Sequence, residues 1–119
     1  MLRHMAKAKI HGATVTATEL KYEGSITIDS DLLQASDILP GERVQIVNIN
    51  NGERIETYVI EGPSGSGEIC LNGPAARMAM IGDMVHIISY CLVEDEIARG
   101  MKLATVKVDE SNRLRETAQ

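Results

Sequence analysis

Gly24 and Ser25 form a dipeptide that could break the peptide bond between them. A serine hydroxyl can attack the carbonyl carbon of the preceding residue, and an ester then replaces the amide. Glycine suits the attacked position because it has no Cβ to block the approach and because it tolerates strained backbone angles. Elimination from the ester leaves dehydroalanine, which hydrolyses to a pyruvoyl group. The same dipeptide is common in turns, and Gly65 with Ser66 lies in a plain loop, so the dipeptide alone leaves both interpretations open.

Basic side chains alternate near the start of the chain, at Lys7, Lys9 and His11. Residues two apart on a strand share one face, so these three side chains would lie together. They could form a cationic patch that binds a dicarboxylate. The alternative is a solvated strand edge on which lysine discourages aggregation.

Arg54 and Tyr58 would share one face of the strand that follows Asn51 and Gly52, a pair that predicts a type I′ turn. Their Cα atoms would be roughly 13 Å apart at about 3.3 Å per residue, so two long side chains could converge on a small substrate. The planar arginine fork suits a carboxylate because it donates two parallel hydrogen bonds. Thr57 would point to the opposite face. An ordinary exposed strand face is the alternative for this segment.

Asn72 and Gly73 would present an amide side chain and backbone N–H groups at a turn. Pro74 fits the first position of a helical turn over residues 75–80. The small residues of this segment would let a ligand approach the backbone, and a simple strand-to-helix turn is the alternative.

The elements that must position these residues are short and mostly extended. Runs rich in Val, Ile, Thr and Ala between turn signals predict about seven strands. Their spans are residues 8–18 (one or two strands), 22–28, 43–49, 54–61, 68–71, 83–93 and 103–108. This spacing of short strands favours a compact β-barrel.

Helical signals are few. Apolar residues at helical spacing predict a helix over residues 31–39, and Asp31 with Gln34 resembles a capping box at its start. The polar residues 111–119 are predicted to form a disordered tail.

Composition and charge limit the classes of function. The chain has 119 residues, the size of one domain, and its hydrophobic residues include no Phe and no Trp. A net charge of −5 disfavours binding to nucleic acid. The longest apolar run, residues 84–93, is about half the roughly 20 residues that a membrane helix needs. No signal peptide is visible, so we expect a cytoplasmic protein that does not enter a membrane.

Cys70 and Cys91 lie in apolar segments without the spacing of a metal motif. We interpret them as reduced core thiols, and a disulfide or a metal site is the alternative. The three histidines also lack metal-ligand spacing, so no metal is predicted.

Together these segments resemble the pyruvoyl-dependent aspartate decarboxylase family. The resemblance covers residues 1–108 and depends on common motifs that occur in the family's order: His11, Tyr-Glu-Gly-Ser at 22–25, Asn-Gly at 51–52, Arg54, Thr57-Tyr58 and Asn72-Gly73. It implies a mainly β fold, a small six-stranded double-psi β-barrel with one or two short helices, in a single domain over residues 1–119. It also implies a homotetramer whose active sites lie between neighbouring subunits.

The resemblance implies an enzyme that converts L-aspartate to β-alanine and CO2 through a Schiff base, for pantothenate and coenzyme A biosynthesis. Its covalent cofactor, a pyruvoyl group derived from Ser25, would make PLP and a metal unnecessary. Cleavage would leave fragment 1–24, which ends at Gly24, and fragment 25–119, which begins with the pyruvoyl group. Thr57 matches the residue that polarises the Gly24 carbonyl during cleavage. Whether a maturation factor assists cleavage stays open.

Further site residues follow from the same resemblance. Tyr58 matches the proton donor of the catalytic cycle, and Arg54 and Lys9 match groups that bind the substrate carboxylate. The other matches contribute, with Thr57, to the substrate pocket: Asn72, Gly73, Pro74, Ala75, His11 and Tyr22. The family usually has alanine where this chain has Pro74, and proline has no N–H to donate.

Three other functions are alternatives to this interpretation. A non-catalytic barrel module that binds a peptide or protein would have no use for the cleavage dipeptide together with Arg54 and Tyr58. A swapped-barrel DNA-binding regulator conflicts with the acidic charge. A phosphate-binding loop over residues 62–67 is disfavoured because Glu68 follows it in place of the required lysine.

Overall fold

The computed structural model describes residues 1–115, which form mainly β-strands. This part of the chain contains eight strands: β1 (Leu2–Thr14), β2 (Ala17–Glu19), β3 (Ser25–Asp29), β4 (Arg43–Asn48), β5 (Arg54–Gly62), β6 (Ile69–Asn72), β7 (Met84–Glu94) and β8 (Ala104–Lys107). Its helices are α1 (Ser30–Ser36), α2 (Asp95–Gly100) and a 3-10 helix over Gly73–Met78. A helix long and apolar enough to span a membrane does not occur in residues 1–115.

Hydrogen bonds join the strands in the order β2-β6-β3-β5-β4-β7-β1-β8. β1 and β2 lie near opposite ends of this order, yet β1 ends at Thr14 and β2 begins at Ala17. Three peptide units span at most about 11 Å, so the sheet must curl until its ends meet. The prediction of a mainly β fold with short helices is confirmed. The six inner strands equal the number predicted for the barrel, and the short strands β2 and β8 flank them.

Aliphatic side chains fill the core, as the absence of Phe and Trp requires. Ile10, Ile26 and Ile87, from three different strands, are all 0% exposed. In β4 and β7 buried residues alternate with less buried ones, whereas β3 and β6 are almost entirely buried. Ser25 and Asn72 therefore place polar side chains in the most enclosed part of the sheet.

Asp29 caps α1, so the predicted capping box at Asp31 is wrong. The Asp29 carboxylate follows directly from β3 and accepts hydrogen bonds from the backbone nitrogens of Asp31 (2.9 Å), Gly65 (3.1 Å) and Gly67 (2.8 Å). Asp31 lies inside the first turn, where its carboxylate accepts from the Ser64 hydroxyl. One buried carboxylate thus joins the end of β3, the start of α1 and the loop after β5.

The connection between β4 and β5 is not the predicted type I′ turn. Gly52 has a φ of 78°, but Asn51 is not among the described residues with positive φ. The nitrogen of Gly52 donates to the Asn48 carbonyl, and side chains of Asn48 and Asn51 accept from backbone nitrogens within the loop. These asparagine contacts stabilise a longer loop, which is why the two-residue turn does not form.

The predicted disordered tail is wrong for residues 111–115. Asn112 is 1% exposed, and its amide group bonds to the backbone of Thr14 and of Gly67. Residues 116–119 of the predicted tail lie outside the described residues. The sequence interpretation also missed α2, a short helix with acidic residues in its first turn and Arg99 in its last.

Both cysteines are free, but only Cys70 is a core thiol. Cys91 is half-buried because it lies in the outer half of β7, where it pairs with Met5 near the exposed start of β1.

Replacing Asp29 by asparagine should lower the free energy of unfolding at pH 7 by about 2 kcal/mol, because an amide NH2 would face the buried Gly67 N–H. Burial raises the pKa of Asp29, but the backbone donors of Asp31, Gly67 and Gly65 outweigh burial, so the net pKa lies below its ordinary value. The stabilisation is therefore complete above about pH 4 and is lost as the pH falls through the lowered pKa of the folded state. Denaturant unfolding between pH 7 and pH 2 measures both effects.

The matched control is Asp31→Asn, which removes the same charge from the same helix at the surface. It should cost no more than about 1 kcal/mol, the usual size of a charge interaction with a helix end. Equal losses for the two variants would contradict the assigned role of Asp29.

Candidate active site

The peptide bond after Gly24 lies where the chain enters the sheet. The strand predicted from residue 22 begins at Ser25 instead, because residues 22–24 form a bend and an irregular segment. Ser25 pairs with Asn72 across the antiparallel neighbour β6 and is 0% exposed. The candidate nucleophile is therefore held by backbone pairing and shielded from water.

The Ser25 hydroxyl has two hydrogen-bond partners. Its Oγ donates to the carbonyl of Glu23 at 3.0 Å and accepts from Asn72 Nδ2 at 3.0 Å. The same Nδ2 also donates to Thr27 Oγ1 at 3.0 Å. These contacts fix the direction of the hydroxyl beside the bond that it would attack.

Gly73 packs closely against the backbone of the bend around Gly24. Its φ is 64°, and a Cβ at this position would lie 2.6 Å from the Tyr22 carbonyl oxygen and 2.8 Å from the Gly24 nitrogen. No real Cβ approaches backbone atoms so closely, so only glycine fits here without a shift of the bend. The predicted close approach at Asn72 and Gly73 is therefore made by the chain's own backbone.

A cavity of about 410 Å³ opens beside Gly24, between β5 and the 3-10 helix. Five residues singled out in the sequence line it, together with Ile55, Glu56 and Met78: Gly24, Thr57, Tyr58, Pro74 and Ala75. Pro74 occupies the first turn of the 3-10 helix, as predicted. Thr57 and Tyr58 both reach the cavity although their side chains were expected on opposite faces of the strand. Four successive residues of β5, from Ile55 to Tyr58, therefore border the cavity beside Gly24, and the strand does not present one face alone to it.

Tyr58 and Glu23 connect this cavity with the bend. The Tyr58 hydroxyl lies 3.4 Å from Glu23 Oε2, and 38% of the Tyr58 side chain is exposed. Glu23 therefore contacts both the nucleophile, through its carbonyl, and Tyr58, through its carboxylate.

Arg54 and Tyr58 both lie on the exposed face of β5, in agreement with their spacing. Arg54 does not line the cavity beside Gly24 within the described chain. Its Nη1 donates to Gln45 Oε1 at 2.6 Å, and the Tyr90 hydroxyl donates to the same oxygen at 2.7 Å. Gln45 thus holds the guanidinium of Arg54, the first residue of β5, four residues before Tyr58.

The three basic residues of β1 do not form one patch. A register shift between Ala6 and Ala8 lets Lys7 form an ion pair with Glu42 at 3.2 Å. His11 stacks on His86, with ring centroids 4.0 Å apart. It lines a different cavity, of about 670 Å³, with Lys107 and Arg115 among the other lining residues.

Burial lowers the pKa of both stacked histidines, and the positive charge of Lys9 lowers them further. Both rings therefore lie in surroundings that disfavour their charged forms. Neither Lys9 nor His11 lines the cavity beside Gly24 within the described chain.

A family model described as aspartate decarboxylase matches residues 1–115 of this chain. The chain belongs to the aspartate decarboxylase family. Aspartate 1-decarboxylases of Thermoanaerobacter pseudethanolicus, Pelotomaculum thermopropionicum and Carboxydothermus hydrogenoformans are 54%, 56% and 58% identical to it. The matches cover 95%, 100% and 96% of this chain and 97%, 90% and 90% of the relatives. The family resemblance in the sequence is confirmed.

A solved structure of the rationally designed protein mkDPBB_sym_86 matches 65% of this family member and 90% of its own chain. The TM-score of this match is 0.49 and the sequence identity is 14%.

Sequence reasoning missed three residues that contact the site of this decarboxylase-family chain. The sequence singles out Glu23 only as part of a motif, Thr27 only as a strand residue and Cys70 only as a core thiol. Cys70 Sγ lies 3.3 Å from Asn72 Oδ1, and Thr27 Oγ1 lies 3.0 Å from Asn72 Nδ2. Spacing of two residues along β3 and β6 was the available signal, because it places both residues on the face of Ser25 and Asn72.

Alanine at Gly73 should destabilise the protein more than alanine at Gly52. Both glycines have positive φ, so both substitutions strain the backbone by about 1–2 kcal/mol. Only Gly73 also has backbone atoms in the space of a new Cβ, and such overpacking should add about 2 kcal/mol. Denaturant unfolding of Gly73→Ala and the Gly52→Ala control measures the difference, and similar losses would exclude the close contact.

Proposed function

We propose that this chain is an aspartate 1-decarboxylase that cleaves itself between Gly24 and Ser25 and converts L-aspartate to β-alanine and CO2. Membership of the family supports the reaction. The observation that carries the self-cleavage is the buried Ser25 hydroxyl, bound by Asn72 Nδ2 beside a cavity that Gly24 lines. A hydroxyl that serves only a turn has no need of a buried amide donor next to such a cavity.

Cleavage begins when Ser25 Oγ attacks the carbonyl carbon of Gly24. The C–N bond breaks, the hydroxyl proton ends on the released nitrogen, and an ester joins the two residues. Thr57 lines the same cavity as Gly24, and its hydroxyl polarises the Gly24 carbonyl during the attack. The Gly24 carboxylate then leaves as Ser25 loses its Cα proton. Water converts the resulting dehydroalanine to the pyruvoyl group and ammonia.

The residues around Ser25 fit a pyruvoyl group at this position. Asn72 Nδ2 and the Thr27 hydroxyl are polar contacts in a buried site, and the cavity of about 410 Å³ gives a small substrate access. The ketone of the group supplies the electron sink for loss of the α-carboxylate. The group derives from Ser25, so the site requires neither PLP nor a metal.

Tyr58 donates the proton that replaces the lost carboxylate. Its hydroxyl lies at the cavity and contacts the Glu23 carboxylate, which orients it. Pro74 cannot donate a backbone hydrogen bond, so Gly73 and Ala75 supply the N–H groups of the pocket wall.

Arg54 binds a substrate carboxylate with its two-pronged fork, and Lys9 contributes a second cation. Within residues 1–115, Lys9, His11 and Arg54 do not line the cavity beside Gly24, and this separation supports active sites between the subunits of the homotetramer that we propose. Tyr22, at the bend, belongs to the same pocket. We place the enzyme in the cytoplasm, in pantothenate and coenzyme A biosynthesis, and a maturation factor could assist its cleavage.

Ser25→Ala should fold but stay in one piece, because no hydroxyl remains to attack the Gly24 carbonyl. Intact-mass spectrometry should find two fragments in the unmodified protein, one of which ends at Gly24. The other should react with phenylhydrazine and resist Edman degradation because its first residue lacks an amine. An unmodified protein that stays whole and never reacts with phenylhydrazine would refute the proposed function.

Arg54→Ala should cleave normally but lose roughly 100-fold in kcat/KM for L-aspartate, which corresponds to two charge-assisted hydrogen bonds of about 1.5 kcal/mol each. Steady-state kinetics on the cleaved variant measures the loss. Arg99→Ala, which removes an exposed arginine from α2, is the control and should leave kcat/KM unchanged. Normal kinetics for Arg54→Ala would remove this residue from the site.

A further inference from the structure

Four polar side chains form a ladder across the pairing of β3 with β6. Ser25 is opposite Asn72, and Thr27 is opposite Cys70. Asn72 connects all four, since its amide nitrogen donates to both hydroxyls and its amide oxygen faces the thiol. We propose that the Cys70 thiol is a positioning group for self-cleavage, which holds the Asn72 amide with its nitrogen on Ser25 Oγ. This inference rests on the proposed function.

The orientation of the Asn72 amide depends on Cys70. Hydroxyl groups both donate and accept, so Thr27 could bond to either end of the amide, whereas Ser25 could bond to the oxygen end only if it gave up its hydrogen bond to the Glu23 carbonyl. A thiol is a weak donor and a weaker acceptor, so Cys70 at 3.3 Å favours the oxygen end. A rotated amide would direct its N–H groups at sulfur, which accepts hydrogen bonds only weakly. The thiol thus favours the same amide orientation as the bond from Ser25 to the Glu23 carbonyl, and it acts at the opposite end of the amide.

Burial stabilises this orientation of the Asn72 amide. Ser25, Cys70 and Asn72 are 0%, 4% and 3% exposed, so water does not replace a lost partner. Burial raises the pKa of the Cys70 thiol, and the nearby Glu68 and Glu19 raise it further. The thiol therefore keeps its proton near neutral pH and remains a donor to Asn72 Oδ1.

The orientation matters for the attack on Gly24. Negative charge develops on Ser25 Oγ as its proton leaves, and an N–H that already points at this oxygen stabilises the charge. The reversed amide would instead place its oxygen against that charge. Cys70 has no contact with the reacting atoms, so it acts only through Asn72.

The test compares first-order cleavage rates of purified precursors by intact-mass spectrometry. Cys70→Ala should cleave about tenfold more slowly, which corresponds to about 1.4 kcal/mol in the barrier. Cys70→Val removes the donor but fills the space of the thiol, and it should be slowed to the same extent. Cys70→Ser should stay within about threefold of the unmodified rate, because serine can still donate to Asn72. Cys91→Ala is the matched control and should leave the rate unchanged.

A second measurement separates positioning from a general loss of structure. In an Asn72→Ala background, Cys70→Ala should cause no further slowing, because the group through which it acts is absent. An additive effect, or slowing of the serine variant equal to that of the alanine variant, would overturn the positioning role. If the unmodified chain cleaves and Cys70→Ala cleaves equally fast, only this inference fails. If the unmodified chain never cleaves, the proposed function fails with it.

Discussion

The antiparallel pairing of Ser25 with Asn72 is the interaction on which the rest of the site depends. It places a serine hydroxyl and a carboxamide side by side in a layer of the sheet that excludes water. The turn after Asn72 then brings Gly73 against the backbone of Tyr22 and Gly24, so the same strand end also holds the bend. The pairing of β3 with β6 therefore positions both the Ser25 hydroxyl and the bend that contains Gly24.

The pairing of Ser25 with Asn72 buries a cluster of polar atoms inside an otherwise aliphatic barrel. A buried polar group costs free energy unless its hydrogen bonds are satisfied, and the Asn72 amide has partners at both ends. Ser25 is the first residue of β3, and Asp29 is the last. The buried carboxylate of Asp29 is also satisfied, because it accepts hydrogen bonds from three backbone N–H groups. Strand β3 thus carries a fully bonded polar group near each of its ends, and its apolar residues pack between them.

Much of this arrangement could be predicted from single residues and their spacing. Turn signals and apolar runs located the strands, but the presence of both Thr57 and Tyr58 at the cavity beside Gly24 did not follow from strand alternation, which predicts opposite faces for them. Contacts that depend on register could not be predicted. Thr27 and Cys70 are unremarkable strand residues until the offset between β3 and β6 is known, and Arg54 cannot be tied to Gln45 without the β4–β5 pairing. Asn112 looked like part of a tail because its partners, Thr14 and Gly67, are distant in sequence.

The position of the proposed cut after Gly24 has a consequence for how such a protein can fold. β1 and β2 precede Gly24, and they pair with β7, β8 and β6, all of which follow it. A nicked chain would keep its shape because these hydrogen bonds cross the break many times. Once denatured, however, it would be two molecules, and their reassembly would depend on concentration as that of a heterodimer does. If the chain is cut after Gly24 as proposed, assembly of the sheet before the cut keeps folding a one-chain process, which does not depend on concentration.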